Sequence, residues 1–256
     1  MFYLSQEEKI AIAKEVVKTS AGAMTIVASG HTSDSFEAQA YELNKIAETG
    51  VDAVILVSNR LDQENEGDDV WLKNAEKLLG MLDKDVKLGV YECPKPYKRL
   101  LSPRILEWMK ANGRFRFIKD TCCDPVLLTK RCEQVKGSDL MLFNANGQTF
   151  LHSLKAGGAG YSGIIANYCP ALFAWVYRNY EKHPEEAEAL ADLLSMLSFT
   201  EDGAYPSTAK YYLSLKGLDM TTESRVVEKG KFGIYQKAYV EQMYRIIEKA
   251  EAKYGK

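Results

Sequence analysis

Six short apolar runs, separated by helical segments, govern what this sequence can become: 24–29 (MTIVAS), 53–58 (AVILVS), 87–93 (KLGVYEC), 115–120 (FRFIKD), 140–144 (LMLFN) and 160–166 (GYSGIIA). Near-continuous apolar strands of about six residues, each followed by a helix, are what a parallel sheet covered by helices requires. The sequence predicts a first helix over 5–19, where Ser5 and Glu8 form a capping box ahead of Ile10, Ala13, Val16 and Val17 at helical spacing. Further helices are predicted over 34–49, closed by Gly50, and over 70–82. After Pro170 the pattern turns wholly helical, at 171–180, 184–199, 206–216 and 228–254. Pro170, Pro184 and Pro206 stand where first-turn prolines belong, and Gly217 closes the third of these helices. The last helix carries Phe232, Tyr235, Tyr239, Met243, Ile246 and Ala250 as a stripe expected to pack on the sheet layer or a neighbouring subunit. Nothing reads as a linker. Residues 1–180 are expected to carry the βα repeats and 181–256 a helical region packed on them. An open doubly wound sheet and a (β/α)8 TIM barrel lacking its first two βα units both satisfy this pattern.

Charge and composition narrow the function classes. The 33 Lys and Arg against 35 Asp and Glu leave a net charge of −2, without the basic excess of a nucleic-acid binder. A content of 46% hydrophobic residues excludes a disordered chain. No run approaches the ~20 apolar residues that a membrane helix needs, and residues 1–9 (MFYLSQEEK), with no basic segment followed by an apolar stretch, are not expected to act as a signal peptide. Five cysteines (93, 122, 123, 132 and 169), with no C-x-x-C spacing, read as reduced thiols in a cytoplasm. The three histidines (31, 152 and 183) are scattered and read as surface or capping residues, so no metal site is expected.

Gly158-x-Gly160-x-x-Gly163 matches the dinucleotide fingerprint letter for letter. That fingerprint must follow a strand and open a helix. Here a helix precedes it and a strand runs through it, so close helix-to-strand packing is the expected role.

Lys119 lies near the C-terminal end of an apolar strand, where strict alternation puts Phe115, Phe117 and Lys119 on one face. An ammonium on an inward strand face is costly unless paired or deprotonated, and a neutral amine is what attacks a carbonyl to form a Schiff base. Residues at the C-terminal ends of barrel strands line active sites. The plainer reading is a lysine that snorkels to the rim or pairs with Asp120 or a neighbouring carboxylate. Tyr91 ends its strand just before Pro94, where a phenol can pass protons to a carbinolamine if it reaches the lysine. Glu92 and Asp120 alternate to the opposite face, which argues against a carboxylate dyad. Arg60, Lys95 and Lys98 are strand-end cations whose ordinary reading is solvated loop charge.

The ordered motifs Tyr91-Glu92-Cys93-Pro94, Lys119-Asp120-Thr121 and 158–170 (GAGYSGIIANYCP) resemble those of the dihydrodipicolinate synthase / N-acetylneuraminate lyase family. The first is similar to the family's Tyr-Asn-x-Pro, the second to its Lys-Asp-(Ser/Thr), and the third to its glycine-rich eighth strand. The resemblance implies a class I aldolase-type (β/α)8 barrel with a C-terminal helical extension, binding pyruvate or a related 2-oxo acid as a Schiff base. It implies Lys119 as the Schiff-base lysine and Tyr91 as the proton shuttle. It also implies that Ser162, before Gly163, offers a backbone carbonyl at the substrate site. The covalent imine replaces any diffusible cofactor, an aldehyde is the second partner, and a homodimer or homotetramer is the implied assembly. The family's Gly-Thr-Thr-Gly-Glu motif would fall immediately before Met1, which leaves two expectations: two further strands ahead of it, the favoured one, or a barrel that closes in another way, by oligomerising. Three departures stand out. The synthases' arginine after Tyr-Asn-x-Pro is Pro96, their paired tyrosines are Asn59-Arg60, and their Gly-Asp-Asp is Ala145-Asn146-Gly147. These leave two functions open: a pyruvate lyase or aldolase, and a relative that binds a 2-oxo acid or a partner without turnover.

Overall fold

The computed structural model describes residues 1–201 and 203–255 and divides into two compact units, Met1–Phe143 and Asn144–Lys256. The first unit alternates helix and strand: α1 (Gln6–Ser20), β1 (Val27–Ala28), α2 (Phe36–Ala47), β2 (Ala53–Val57), α3 (Asp68–Leu79), β3 (Leu88–Tyr91), α4 (Pro103–Asn112), β4 (Phe115–Asp120), α5 (Pro125–Val135) and β5 (Met141–Asn144), whose last residue opens the second unit. The strands neighbour one another in chain order, and β1–β2, β2–β3 and β3–β4 pair in parallel. All five residues of β2 are buried, as expected for a central parallel strand covered on both faces.

Helix starts follow their caps. Ser5 and Glu8 form the expected capping box, and Ser35 and Ser102 each accept a backbone N–H in the first turn of the helix that follows. Asp124 does the same for α5, with Pro125 in the first turn. The α2 helix ends at Ala47, so Gly50, at a left-handed φ of 89°, closes the turn beyond it. Trp71, Trp108 and Phe115 form an aromatic chain between α3, α4 and β4, with centroids 5.9 and 5.6 Å apart. Leu43, Ile46, Leu78, Ile105 and Leu106 are likewise almost wholly buried.

Two strands are shorter than expected. The run 24–29 contributes only Val27–Ala28 to the ladder, and Met24 is exposed. Around these two residues the strand is held by Asp52, whose carboxylate accepts from the Ile26 N–H at 2.6 Å, and by the Ser29 hydroxyl, which donates to the Ile55 carbonyl at 2.8 Å.

The second unit continues with α6 (Phe150–Lys155), β6 (Gly160–Tyr161), α7 (Pro170–Asn179), α8 (Pro184–Ser198), α9 (Ser207–Leu215) and α10 (Ile234–Tyr254). Here the run 160–166 is strand only over Gly160–Tyr161, because Ile164–Asn167 is a 3-10 turn that buries Ile165 beside Tyr168 and Cys169. Pro170 and Pro184 occupy first-turn positions, whereas Pro206 caps α9 from outside. The 228–233 segment is not helical. Gly230 adopts a φ of 94°, and Gln236 accepts the Gly233 N–H at 3.0 Å to start α10. The buried face of α10 is Val240, Met243, Ile247 and Ala250; Tyr235 and Ile246 from the expected stripe are exposed.

Candidate active site

Tyr91 and Lys119 are register partners across β3 and β4, so both stand at the C-terminal ends of adjacent parallel strands and on one face. The Lys119 Nζ lies 4.6 Å from the centroid of the Tyr91 ring, a cation–π distance. Both side chains are half-buried. Burial, reinforced by Cys93, raises the Tyr91 phenol pKa, so the group is a proton donor at neutral pH.

The face of β4 differs from strict alternation. The ladder shifts between Leu88, opposite Phe115, and Gly89, opposite Phe117, which leaves Arg116 as an extra residue. Phe115 therefore packs on Trp108 of α4, while Phe117 stacks on Phe143 at 4.8 Å, away from it. Phe117 keeps company with Lys119; Phe115 does not. Gly89 makes the shift possible: a Cβ there would stand 2.5 Å from Ile55 Cδ1 and 2.8 Å from Phe117 Cβ.

Glu92 and Asp120 do face away from this pair, yet they meet on Arg131 of α5, a residue the sequence reading missed. All three side chains are almost wholly buried. Arg131 Nη2 lies 2.8 Å from Glu92 Oε1, and Nη1 donates to Glu92 Oε2 at 3.1 Å and also to Asp120 Oδ2. Burial raises the Glu92 pKa against the opposing pull of Arg131. Burial also opposes the charge on Arg131, but the two carboxylates outweigh it and raise its pKa. The signal was present in spacing: Arg131 falls among Leu128, Cys132 and Val135, the buried face of α5.

Two of the three strand-end cations have structural employment. Arg60 pairs with Asp34 and donates to the Ser33 carbonyl at 2.6 Å. Lys98 donates to the Thr121 carbonyl at 2.9 Å, and Lys95 is exposed. Asn59 is buried, and its amide reaches the carbonyls of Cys93, Lys95 and Tyr97 at 3.0, 2.9 and 2.7 Å, which orders the loop after β3. Contrary to the surface reading, His31 is fully buried. Its Nδ1 accepts the Val57 N–H at 2.9 Å, so its Nε2 donates to Gln39 Oε1 at 2.7 Å. Burial lowers its pKa to about 4, Arg60 adding to the effect and Gln39 opposing it. His152 and His183 are exposed, and His183 precedes α8 at its N-cap. All five cysteines are free thiols. Among the described residues, no group of three His, Cys, Asp or Glu is arranged to hold a metal ion, and no helix is long and apolar enough to cross a membrane.

Ser162 and Gly163 belong to the second unit. The Ser162 N–H donates to the Asn144 carbonyl at 2.8 Å. Gly163 has no room for a side chain, because a Cβ would overlap the Tyr161 hydroxyl and stand 2.5 Å from the Ala145 carbonyl oxygen. Gly158 is similarly confined, 2.8 Å from the Ser153 carbonyl oxygen. The glycine fingerprint thus serves close packing and opens no dinucleotide helix. Asn146 caps the turn after β5 by accepting the Thr149 N–H at 3.0 Å.

A parallel α/β chain with a tyrosine and a lysine paired at strand ends defines a class that comparison with known proteins makes specific. The dihydrodipicolinate synthetase family matches residues 1–227, and the chain belongs to that family. It is 24% identical over 185 residues to a 4-hydroxy-tetrahydrodipicolinate synthase of Macrococcus caseolyticus, which covers 72% of this chain and 60% of that one. To the enzyme of the same name from Staphylococcus haemolyticus it is 24% identical over 199 residues, 76% and 66% of the two chains. The chain thus spans about 60% of the length of the Macrococcus relative. Among solved structures, the 4-hydroxy-tetrahydrodipicolinate synthase of Methylacidiphilum fumariolicum superposes with a TM-score of 0.82 at 18% identity, over 98% of this chain and 82% of that one. A catalytic lysine mutant of the Ruminococcus gnavus sialic acid aldolase superposes with a TM-score of 0.85 at 15% identity, over 99% and 82%. At these identities the likeness is one of fold.

Proposed function

We propose that this chain is a class I, Schiff-base-forming lyase or aldolase acting on pyruvate or a related 2-oxo acid, built on βα units of a (β/α)8 barrel with a C-terminal helical extension. The observation that carries the reading is the Tyr91–Lys119 pair, in register on adjacent strands with Nζ 4.6 Å from the ring centroid. Lys119 Nζ, once it has given up its proton, attacks the keto carbon to give a carbinolamine. Tyr91 donates the proton that lets hydroxide leave as water, and the iminium forms. Loss of a proton from the neighbouring carbon gives an enamine that adds to an aldehyde; the reverse sequence cleaves the bond. The iminium is the electron sink, so the chemistry runs without a diffusible cofactor. Ser162 and Gly163 are assigned to the substrate site on their motif alone, with the Ser162 carbonyl as an acceptor. The reading includes a cytoplasmic homodimer or homotetramer.

Borohydride trapping with pyruvate, read by intact mass and peptide mapping, tests it. A pyruvate-sized adduct on Lys119 in the wild type, absent from folded Lys119→Ala, is the expected result. Pyruvate binding by calorimetry with no adduct on folded protein overturns the lyase and leaves a binding protein without turnover.

A further inference from the structure

We propose that Arg131 is a positioning residue for the Tyr91–Lys119 pair, acting through Glu92 and Asp120; the inference rests on the Schiff-base reading above. Glu92 follows Tyr91 and Asp120 follows Lys119, so each carboxylate is the next side chain along a strand from one member of the pair. Successive strand residues point to opposite faces. Gripping Glu92 and Asp120 on the helix side therefore fixes the backbone from which Tyr91 and Lys119 project on the other.

The grip lies where the ladder runs out. The last backbone bond between the two strands is the Glu92 N–H to the Lys119 carbonyl at 3.3 Å. Beyond it, side chains take over. Glu92 accepts the Leu101 N–H at 2.7 Å and the Thr121 N–H at 3.0 Å, and its carbonyl accepts the Thr121 hydroxyl at 2.8 Å. Asp120 accepts the Cys122 N–H at 2.9 Å. Arg131 bridges both carboxylates and donates to the Leu101 carbonyl at 2.5 Å. One guanidinium from α5 thus ties β3, β4 and the loop before α4 together, one residue past the reacting pair.

Stability does not account for this choice. Three buried charges hold a helix on a sheet no better than apolar side chains of similar volume, because desolvation offsets their attraction. An apolar trio lacks direction. A bidentate guanidinium meeting two carboxylates has one geometry, and so sets one register between the strand ends.

The test compares wild type with Arg131→Lys, which keeps the charge but cannot span both carboxylates. A second variant, Arg131→Met/Glu92→Gln/Asp120→Asn, leaves no buried charge unpaired and guards against failure to fold. Arg114→Gln, which removes contacts to backbone carbonyls at the far end of β4, is the control for destabilisation alone. The maximal rate of borohydride trapping is expected to fall on the order of 10²-fold in both test variants, the cost of a small misplacement of reacting groups, with half-saturation by pyruvate little changed. Independently of pyruvate, the Tyr91 ring resonance is expected to move in both in the same sense as in Lys119→Met, because the ammonium leaves the ring. Folded variants that keep the wild-type resonance and trapping rate, like Arg114→Gln, overturn the proposal. A wild type that traps no pyruvate, while the Tyr91 resonance still responds to Arg131, overturns the Schiff-base reading and retains the positioning role.

Discussion

Acid should destabilise the first unit through His31. The ring is fully buried, and its two nitrogens are committed to different roles: Nδ1 must accept from Val57, and Nε2 must donate to Gln39. A second proton would fall on Nδ1 and face the Val57 N–H. The folded pKa is about 4 against 6.5 for the free side chain. Between those values the unfolded chain binds a proton that the native state does not, so stability rises with pH through the window and is lost as pH falls. From pH 7.5 to pH 5 the loss through this one group is about 2 kcal/mol, and it reaches about 3 kcal/mol near pH 4. Trp71 and Trp108 report on this unit, so urea unfolding followed by fluorescence in a Trp175→Phe background reads the effect. His31→Gln supplies one acceptor and one donor without titrating, and is expected to remove about 2 kcal/mol of the pH dependence between 7.5 and 5, whatever it does to absolute stability. With three histidines in the chain, ring-proton resonances give the pKa directly. A His31 that titrates near 6.5 in folded protein, or a glutamine variant with wild-type pH dependence, refutes the reasoning.

Three further outcomes follow from the geometry. Tyr91→Phe keeps the ring against Lys119 but removes the proton donor, so trapping with pyruvate should slow on the order of 10²-fold while calorimetric pyruvate binding changes little. Gly163→Ala should lower the second unit's stability by about 1–3 kcal/mol in a thermal melt, because Tyr161 is stacked on Phe173 at 4.0 Å and cannot swing aside. Arg131→Met alone leaves two buried carboxylates without their cation and should cost about 3–5 kcal/mol in urea unfolding, more than the charge-free triple variant.

Much of the fold was legible because burial writes itself as periodicity. The runs at 53–58 and 115–120 became β2 and β4 within a residue, and the capping box at Ser5 set the start of α1. What failed were features fixed by pairing. The ladder shift opposite Gly89 has no local signature, so alternation counted from Phe115 put that ring on the wrong face. The pair 164–165 reads as strand because isoleucine is β-branched, yet the turn toward Pro170 takes Ile165 into the helical core.

The charged network was harder to read, for a reason that bears on the site itself. A lone histidine, lysine or arginine in a sequence is priced as surface, since burying it is costly without a partner. The partners here come from other elements. Arg131 meets carboxylates from two strands, and Lys9 meets Glu42 at 3.3 Å across α1 and α2. Each lies on a buried helix face: Arg131 in line with Leu128 and Val135, and Glu42 in line with Gln39 and Ile46. A charge in the buried stripe of a helix therefore says that an opposite charge waits on a neighbouring element. In this chain the ends that wait for Arg131 are those next to Tyr91 and Lys119. The same backbone carries the Tyr91–Lys119 pair on one face and the ion network on the helix side, so the two are a single constraint on the ends of two strands.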